Sequence, residues 1–291
     1  MMLANFKRQT ITTSEAEINT FIGGSGDPLL LLHGYPQNYY MWHKISDRLS
    51  QYFTVIMTDL RGYGDSSKPP VTSDSRNYTK RVMARDQIEV MSHLGCDRFY
   101  LVGHDRGARV AHRLTLDYSQ RVQKLALLDI VPTYQLYTTT DKEFATAYYH
   151  WFFLIQPHPF PETLINSNPQ YFLRHCLQSW SKTEGAFTDR AFKEYLRCFS
   201  NPKTINSTCE DYRASASIDL IHDKKDNEQK ITCPLLVLWG NKGIIGTKYD
   251  VIASWRDRAI NVTGKGLNCG HFIPEEAPEE TYRALKEFLT D

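Results

Sequence analysis

The chain has 291 residues, of which 41% are hydrophobic, 12% aromatic and 23% charged. It is too long for a disulfide-stapled miniprotein and too apolar for a disordered segment, so it predicts a compact globule: one large α/β domain, or a core with a smaller insertion. A formal net charge of +1 at pH 7 supplies no broad field for a nucleic-acid backbone or an anionic membrane, so any anion recognition must be local.

In chain order, the N-terminal stretch up to Thr20 lacks the apolar core of a secretion signal, and Leu29–Leu32 and Leu235–Trp239, the longest apolar runs, are far too short to span a bilayer. The expected location is the cytoplasm. β-rich runs are expected at Glu17–Ile22, Leu29–Leu32, Thr54–Thr58, Phe99–Val102, Lys124–Leu128, Leu235–Leu238 and about Ala259–Val262. Helical patterns lie at Lys80–Leu94, Arg106–Tyr118 and Glu275–Leu289, the last with Pro274 and acidic residues at its start. This alternation predicts a mostly parallel sheet covered by helices on both faces. From about Thr133 to Ala214 the character changes: aromatics are dense, prolines interrupt, and no strand-like run recurs. The expected division is therefore a core of residues 1–132 and 215–291 with a helical lid at 133–214, over the strand ends where such sheets bind ligands. A helical subdomain with its own core and no ligand role is the alternative. The six cysteines (Cys96, Cys176, Cys198, Cys209, Cys233 and Cys269) form no CxxC pair and no metal-ligand spacing with histidine, and are read as reduced, packed thiols.

The segment richest in chemistry is Phe99–Val110, where an apolar strand runs through Gly103-His104-Asp105-Arg106-Gly107 into a helix. This is the strand–turn–helix setting of a nucleophile elbow, with Asp105 where a serine hydrolase carries serine and glycines two residues to either side. Serine attacking a saturated carbon would leave an ether that water does not cleave; aspartate leaves an ester that water can cleave. Asp105 is therefore a candidate nucleophile for an alkyl carbon, against the simpler reading of a helix cap. His271, in the Gly-containing loop Asn268–Pro274, is the candidate base, although a loop histidine can equally be a solvated residue; Asp129, just past a strand end, is its candidate partner. No acid occurs in 241–249, the other place for that partner. The order Asp105, Asp129, His271 is nucleophile, acid, base. The backbone N–H groups of Tyr35, in His33-Gly34-Tyr35-Pro36, and of Arg106 are expected to form an oxyanion hole, with His33 itself structural. Arg106 and Arg109, three apart on one helix face, are placed to bind a small carboxylate bidentately, against the alternative of surface arginines pairing with acids such as Asp117, which suits Arg113 better.

Beyond these residues, the chain carries HGYPQ at 33–37, DLRGYGDSSKP at 59–69, GHDRGARVAHRL at 103–114, LLDIVPT at 127–133, His150-Trp151, CEDYRA at 209–214 and GHFIPEE at 270–276. In these motifs it resembles the haloacetate dehalogenases, those acting on fluoroacetate especially, of the α/β-hydrolase superfamily. The resemblance implies that Asp105, His271 and Asp129 are nucleophile, base and acid, and that Arg106 and Arg109 clamp the substrate carboxylate. It further implies that His150, Trp151 and Tyr212 donate hydrogen bonds to the departing halide, residues that would otherwise read as lid core or, for His150, stay undecided. It implies a small haloacid substrate, no metal or organic cofactor, no nucleic-acid or membrane partner, and a homodimer. The rivals are an epoxide hydrolase, kept open by Tyr148, Tyr149, Tyr171 and Tyr195; a haloalkane dehalogenase, which has no use for two cations; and a ligand-binding receptor on a hydrolase scaffold.

Overall fold

A computed structural model describes Leu3 and residues 5–291. Eight strands form one sheet: β1 Lys7–Thr12, β2 Glu17–Gly23, β3 Asp27–Leu32, β4 Phe53–Thr58, β5 Phe99–His104, β6 Val122–Leu128, β7 Leu235–Gly240 and β8 Val262–Leu267. Their spatial order is β1-β2-β4-β3-β5-β6-β7-β8, antiparallel at β1–β2 and β2–β4 and parallel elsewhere. The fold is that of an α/β hydrolase. Leu29, Leu30, Leu31 and Leu32 of β3 are wholly buried, as expected of a central parallel strand covered on both faces, and this is why its sequence reads as an unbroken apolar run.

Three expectations are corrected. β1 is absent from the sequence reading because KRQTIT is mostly exposed, with Ile11 its one fully buried side chain; register with β2, rather than its own composition, specifies the strand. β8 begins where Ala259–Val262 was expected to end, and its glycines and lysine disguise an edge strand that pairs from Val262 with Leu235 to Leu267 with Gly240. The terminal helix is two: Ile273–Glu276 and Pro278–Thr290, broken at Ala277 because a residue before proline is pushed out of the helical region. The other two helices lie at Lys80–His93 and Asp105–Asp117, within a residue of expectation.

The chain leaves β3 toward β4 on one side and continues to β5 on the other, so a crevice opens beyond the ends of β3 and β5. Between β6 and β7 run helices only, from Thr133–Thr138 to Ile218–Lys225, and helix Pro202–Ala216 continues past residue 214. All six cysteines are unpaired. Among the described residues, no helix is long and apolar enough to cross a membrane.

Candidate active site

β5 ends at His104, and Asp105 starts the next helix with φ +48°, in the left-handed region that costs a non-glycine residue about 1–3 kcal/mol. The turn works because the helix backbone is pressed onto the end of β3: a Cβ on Gly107 would lie 2.3 Å from the His33 carbonyl oxygen. Asp105 is the first residue inside its helix and not its cap, a position that falls to His104. Asp105 Oδ1 accepts from the Tyr35 backbone N–H at 2.8 Å, and Asp105 Oδ2 lies 3.9 Å from His271 Nε2.

Asp129, beyond the end of β6, is also left-handed, with φ +53°. Its Oδ1 accepts from the Gly240 N–H at 2.9 Å and its Oδ2 from His271 Nδ1 at 2.6 Å. With the Nδ1 proton held there, the Nε2 lone pair faces Asp105. The loop carrying His271 is tied from two sides. Its carbonyl accepts from His104 Nε2 at 2.8 Å, and the Glu276 carboxylate accepts from the N–H groups of Gly270 at 2.9 Å, Phe272 at 2.8 Å and Lys182 at 2.7 Å. Burial holds the His104 imidazole near 3, so it stays neutral and donates.

Burial would push the Asp105 carboxyl up, but the neighbouring histidines and arginines outweigh it and hold the group below the ordinary carboxylate range. Burial would lower His271, yet the hydrogen bond and charge of Asp129, with the charge of Asp105, leave it above the ordinary imidazole value. The resting pair is thus an ionised Asp105 beside a histidine of strengthened basicity.

Arg106 and Arg109 are both buried, but they are held differently. Arg106 is engaged by Asp211, Nε to Oδ2 at 2.9 Å and Nη2 to Oδ1 at 2.7 Å, and its Nη1 has no partner in the protein. Arg109 donates only to neutral oxygens, the Val131 carbonyl at 3.1 Å and Thr133 Oγ1 at 2.9 Å, and its Nε is unpartnered. Arg113, as expected, pairs with Asp117 at 3.1 Å, and also with Asp223 and Asp226. His33 is structural, accepting from the Leu60 N–H at 3.0 Å.

Above the strand ends, the Arg106 guanidinium lies 4.1 Å from the Tyr212 ring centroid and the Arg109 guanidinium 4.6 Å from that of Trp151. His150, Trp151 and Tyr212 are buried within ring-to-ring reach of one another: 5.7 Å for His150–Tyr212 and 5.9 Å for Trp151–Tyr212. His150 Nδ1, Trp151 Nε1 and the Tyr212 hydroxyl all lack partners in the protein. A buried polar atom normally finds a partner, and these three, on rings packed against one another, have none in the protein. Burial keeps the His150 imidazole well below its ordinary value, hence neutral.

Of the four tyrosines that kept an epoxide reading open, Tyr171 is 69% exposed, Tyr195 donates to Glu275, and Tyr149 packs on His175. Tyr148 alone among them reaches the triad, its hydroxyl 3.4 Å from His271 Nδ1. A cavity of about 330 Å³ has Tyr148, Trp180 and His271 in its wall. Asp211 had no expected role, Tyr148 was expected only among the four tyrosines of the epoxide rival, and Glu276 only as an acid at a helix start. CEDYRA and GHFIPEE contain the two acids, but Asp211 meets Arg106 across 105 positions, and Glu276 turns back on N–H groups four and six positions before it, which a helix-start reading does not foresee.

Residues 27–278 match the α/β-hydrolase fold family. The chain is an α/β hydrolase. Over 100% of this hydrolase and 96% of its relative, it is 42% identical to the fluoroacetate dehalogenase of a Burkholderia species, so it belongs with the haloacetate dehalogenases that its motifs resemble. The hydrolase is also 36% identical to a soluble epoxide hydrolase from Corynebacterium sp. strain C12, over 92% of this chain and 94% of that one. The crystal structure of a protein assigned as an α/β hydrolase from Nostoc sp. PCC 7120 superposes with a TM-score of 0.98 at 64% identity, covering 99% of each chain.

Proposed function

We propose that the hydrolase cleaves the carbon–halogen bond of a haloacetate, fluoroacetate or chloroacetate, to yield glycolate and halide through an ester on Asp105. The observation that carries this reading is an ionised, cation-flanked Asp105 close to three packed, neutral rings whose polar atoms have no partner in the protein. Two buried arginines beside an already anionic nucleophile suit a second anion, because they offset the repulsion between them. An epoxide needs no such pair.

In the first step an Asp105 carboxylate oxygen attacks the halogen-bearing carbon from the rear; the carbon–halogen bond breaks and the halide leaves with the bonding pair. Arg106 Nη1 and the Arg109 guanidinium hold the carboxylate, while His150, Trp151 and Tyr212 donate to the halide. Fluoride is a poor leaving group and gains most from such donors. In the second step His271 takes a proton from water as the hydroxyl adds to the carboxyl carbon of Asp105. The oxyanion is held by the Tyr35 N–H, which already bonds Asp105 Oδ1, and by the Arg106 N–H, which lies in a helix first turn and has no intrahelical acceptor. Collapse expels glycolate, which takes the proton from His271; the regenerated acid of Asp105 releases its proton to solvent. No step as written draws on a metal or organic cofactor. The helices of residues 133–214 serve as a cap that carries the halide donors.

The test is halide and glycolate release from fluoroacetate and chloroacetate, with Asp105→Ala as control. Release from the wild type and its loss by about 10⁴-fold or more in the control is the expected result. No release of either halide, together with diol formation from an epoxide, would replace the reading with its rival.

A further inference from the structure

Arg106 does not stand alone behind the site. Asp211 is wholly buried, and both its carboxylate oxygens are shared: Oδ1 between Arg106 Nη2 and Lys80 Nζ, Oδ2 between Arg106 Nε at 2.9 Å and the Tyr63 hydroxyl at 2.6 Å. The Asp211 carbonyl takes a further bond from Arg106 Nη2 at 3.0 Å, and Ser215 Oγ takes another. Every N–H edge of Arg106 except Nη1 is therefore fixed, and the guanidinium plane is locked over Tyr212, the residue next to Asp211. Lys80 is in turn 3.7 Å from Asp219 Oδ2. Two cations and two acids are packed together, so little net charge projects from them into the site. Arg109, held only by neutral oxygens, is hydrogen-bonded to no acid, and the carboxylate that faces its charge is Asp105 itself.

We propose that Asp211 is a positioning residue for carboxylate recognition: it aims Arg106 Nη1 at the substrate carboxylate, while Arg109 supplies most of the attraction. The inference rests on the haloacetate reading above and names the division of labour within it. It has a sign that a purely electrostatic role would reverse. Removing a buried anion beside an anion-binding arginine should tighten binding of an anion; removing the clamp that orients a forked donor should weaken it.

The experiment measures chloroacetate KM and kcat, and competitive inhibition by glycolate, in the wild type, in Asp211→Asn, and in Asp211→Asn combined with Lys80→Met. The double variant also takes away the buried lysine charge whose nearer acid the single one removes, and so guards against a folding failure. A positioning role predicts a KM raised by about 10–100-fold, the size of effect a misplaced binding group causes, glycolate inhibition weakened in parallel, and kcat changed less than about threefold. A lower fraction of folded enzyme would lower kcat and leave KM alone. Unchanged or lowered KM, or a loss carried by kcat alone, overturns the proposal. A wild type that releases no chloride overturns the haloacetate reading itself, which variants of an active enzyme cannot do.

Discussion

The floor of the site and its roof are built on opposite terms. On the floor, at the strand ends, each reactive side chain is already bonded: Asp105 to Tyr35, His271 to Asp129, Asp129 to Gly240. On the roof, in the helices between β6 and β7, His150 Nδ1, Trp151 Nε1 and the Tyr212 hydroxyl are buried and bonded to nothing in the protein. The difference separates two kinds of work. On the proposed mechanism, preorganised groups are held at fixed distances before substrate arrives, whereas leaving-group donors stay free to meet a charge that develops only as the bond breaks.

The sharpest way to break this comparison is on the floor. His271→Asn should keep halide release in a single turnover but lower steady-state turnover by about 10⁴-fold or more, with the trapped glycolyl ester seen by intact mass. Rapid multiple turnover in that variant would remove the covalent scheme. pH separates the two steps more gently. His271 must be neutral to act, and its raised pKa means that ester hydrolysis falls, by about tenfold per unit, as pH drops through a midpoint above the ordinary 6.5. Halide release, which needs only the carboxylate of Asp105, held low, should persist further into acid; the check is stopped-flow halide release beside steady-state glycolate production.

The roof answers to smaller changes. Trp151→Phe and Tyr212→Phe should each lower fluoride release by about 10–100-fold, as one lost hydrogen bond to a charged group implies, and chloride release by clearly less. An equal loss for both halides would assign these residues to packing. The smallest effect expected is on stability: because the Tyr212 hydroxyl has no partner in the protein, Tyr212→Phe should melt within a few degrees of the wild type. Calorimetry of the same samples decides it, since a large drop would reveal a partner.

How much could be read beforehand follows the same boundary. The positions of Asp105, Asp129 and His271 were legible because each sits in a local pattern: a strand, a tight turn and a helix for Asp105, a strand end for Asp129, a glycine-containing loop for His271. The central strands were legible because burial on two faces demands continuous apolar runs. The edge strands β1 and β8 were not, since an edge is specified by its neighbour's hydrogen bonds and tolerates polar residues and glycine. Glu276 read as an acidic residue suited to a helix first turn, and only the structure turns it back onto the N–H groups of Gly270 and Phe272.

By itself the sequence determined the chemistry available: a carboxylate where serine might stand, a histidine and an acid in the right order, and two arginines on one helix face. The tertiary structure decided which of these are committed and which are free. Arg106 meets Asp211 across 105 positions and His271 meets Asp129 across 142. No periodicity or local propensity reaches so far. Side-chain type is a property of the residue, but the pairing of a buried charge depends on what folding brings beside it, and folding sets one of two similar arginines on a buried carboxylate and the other on neutral oxygens.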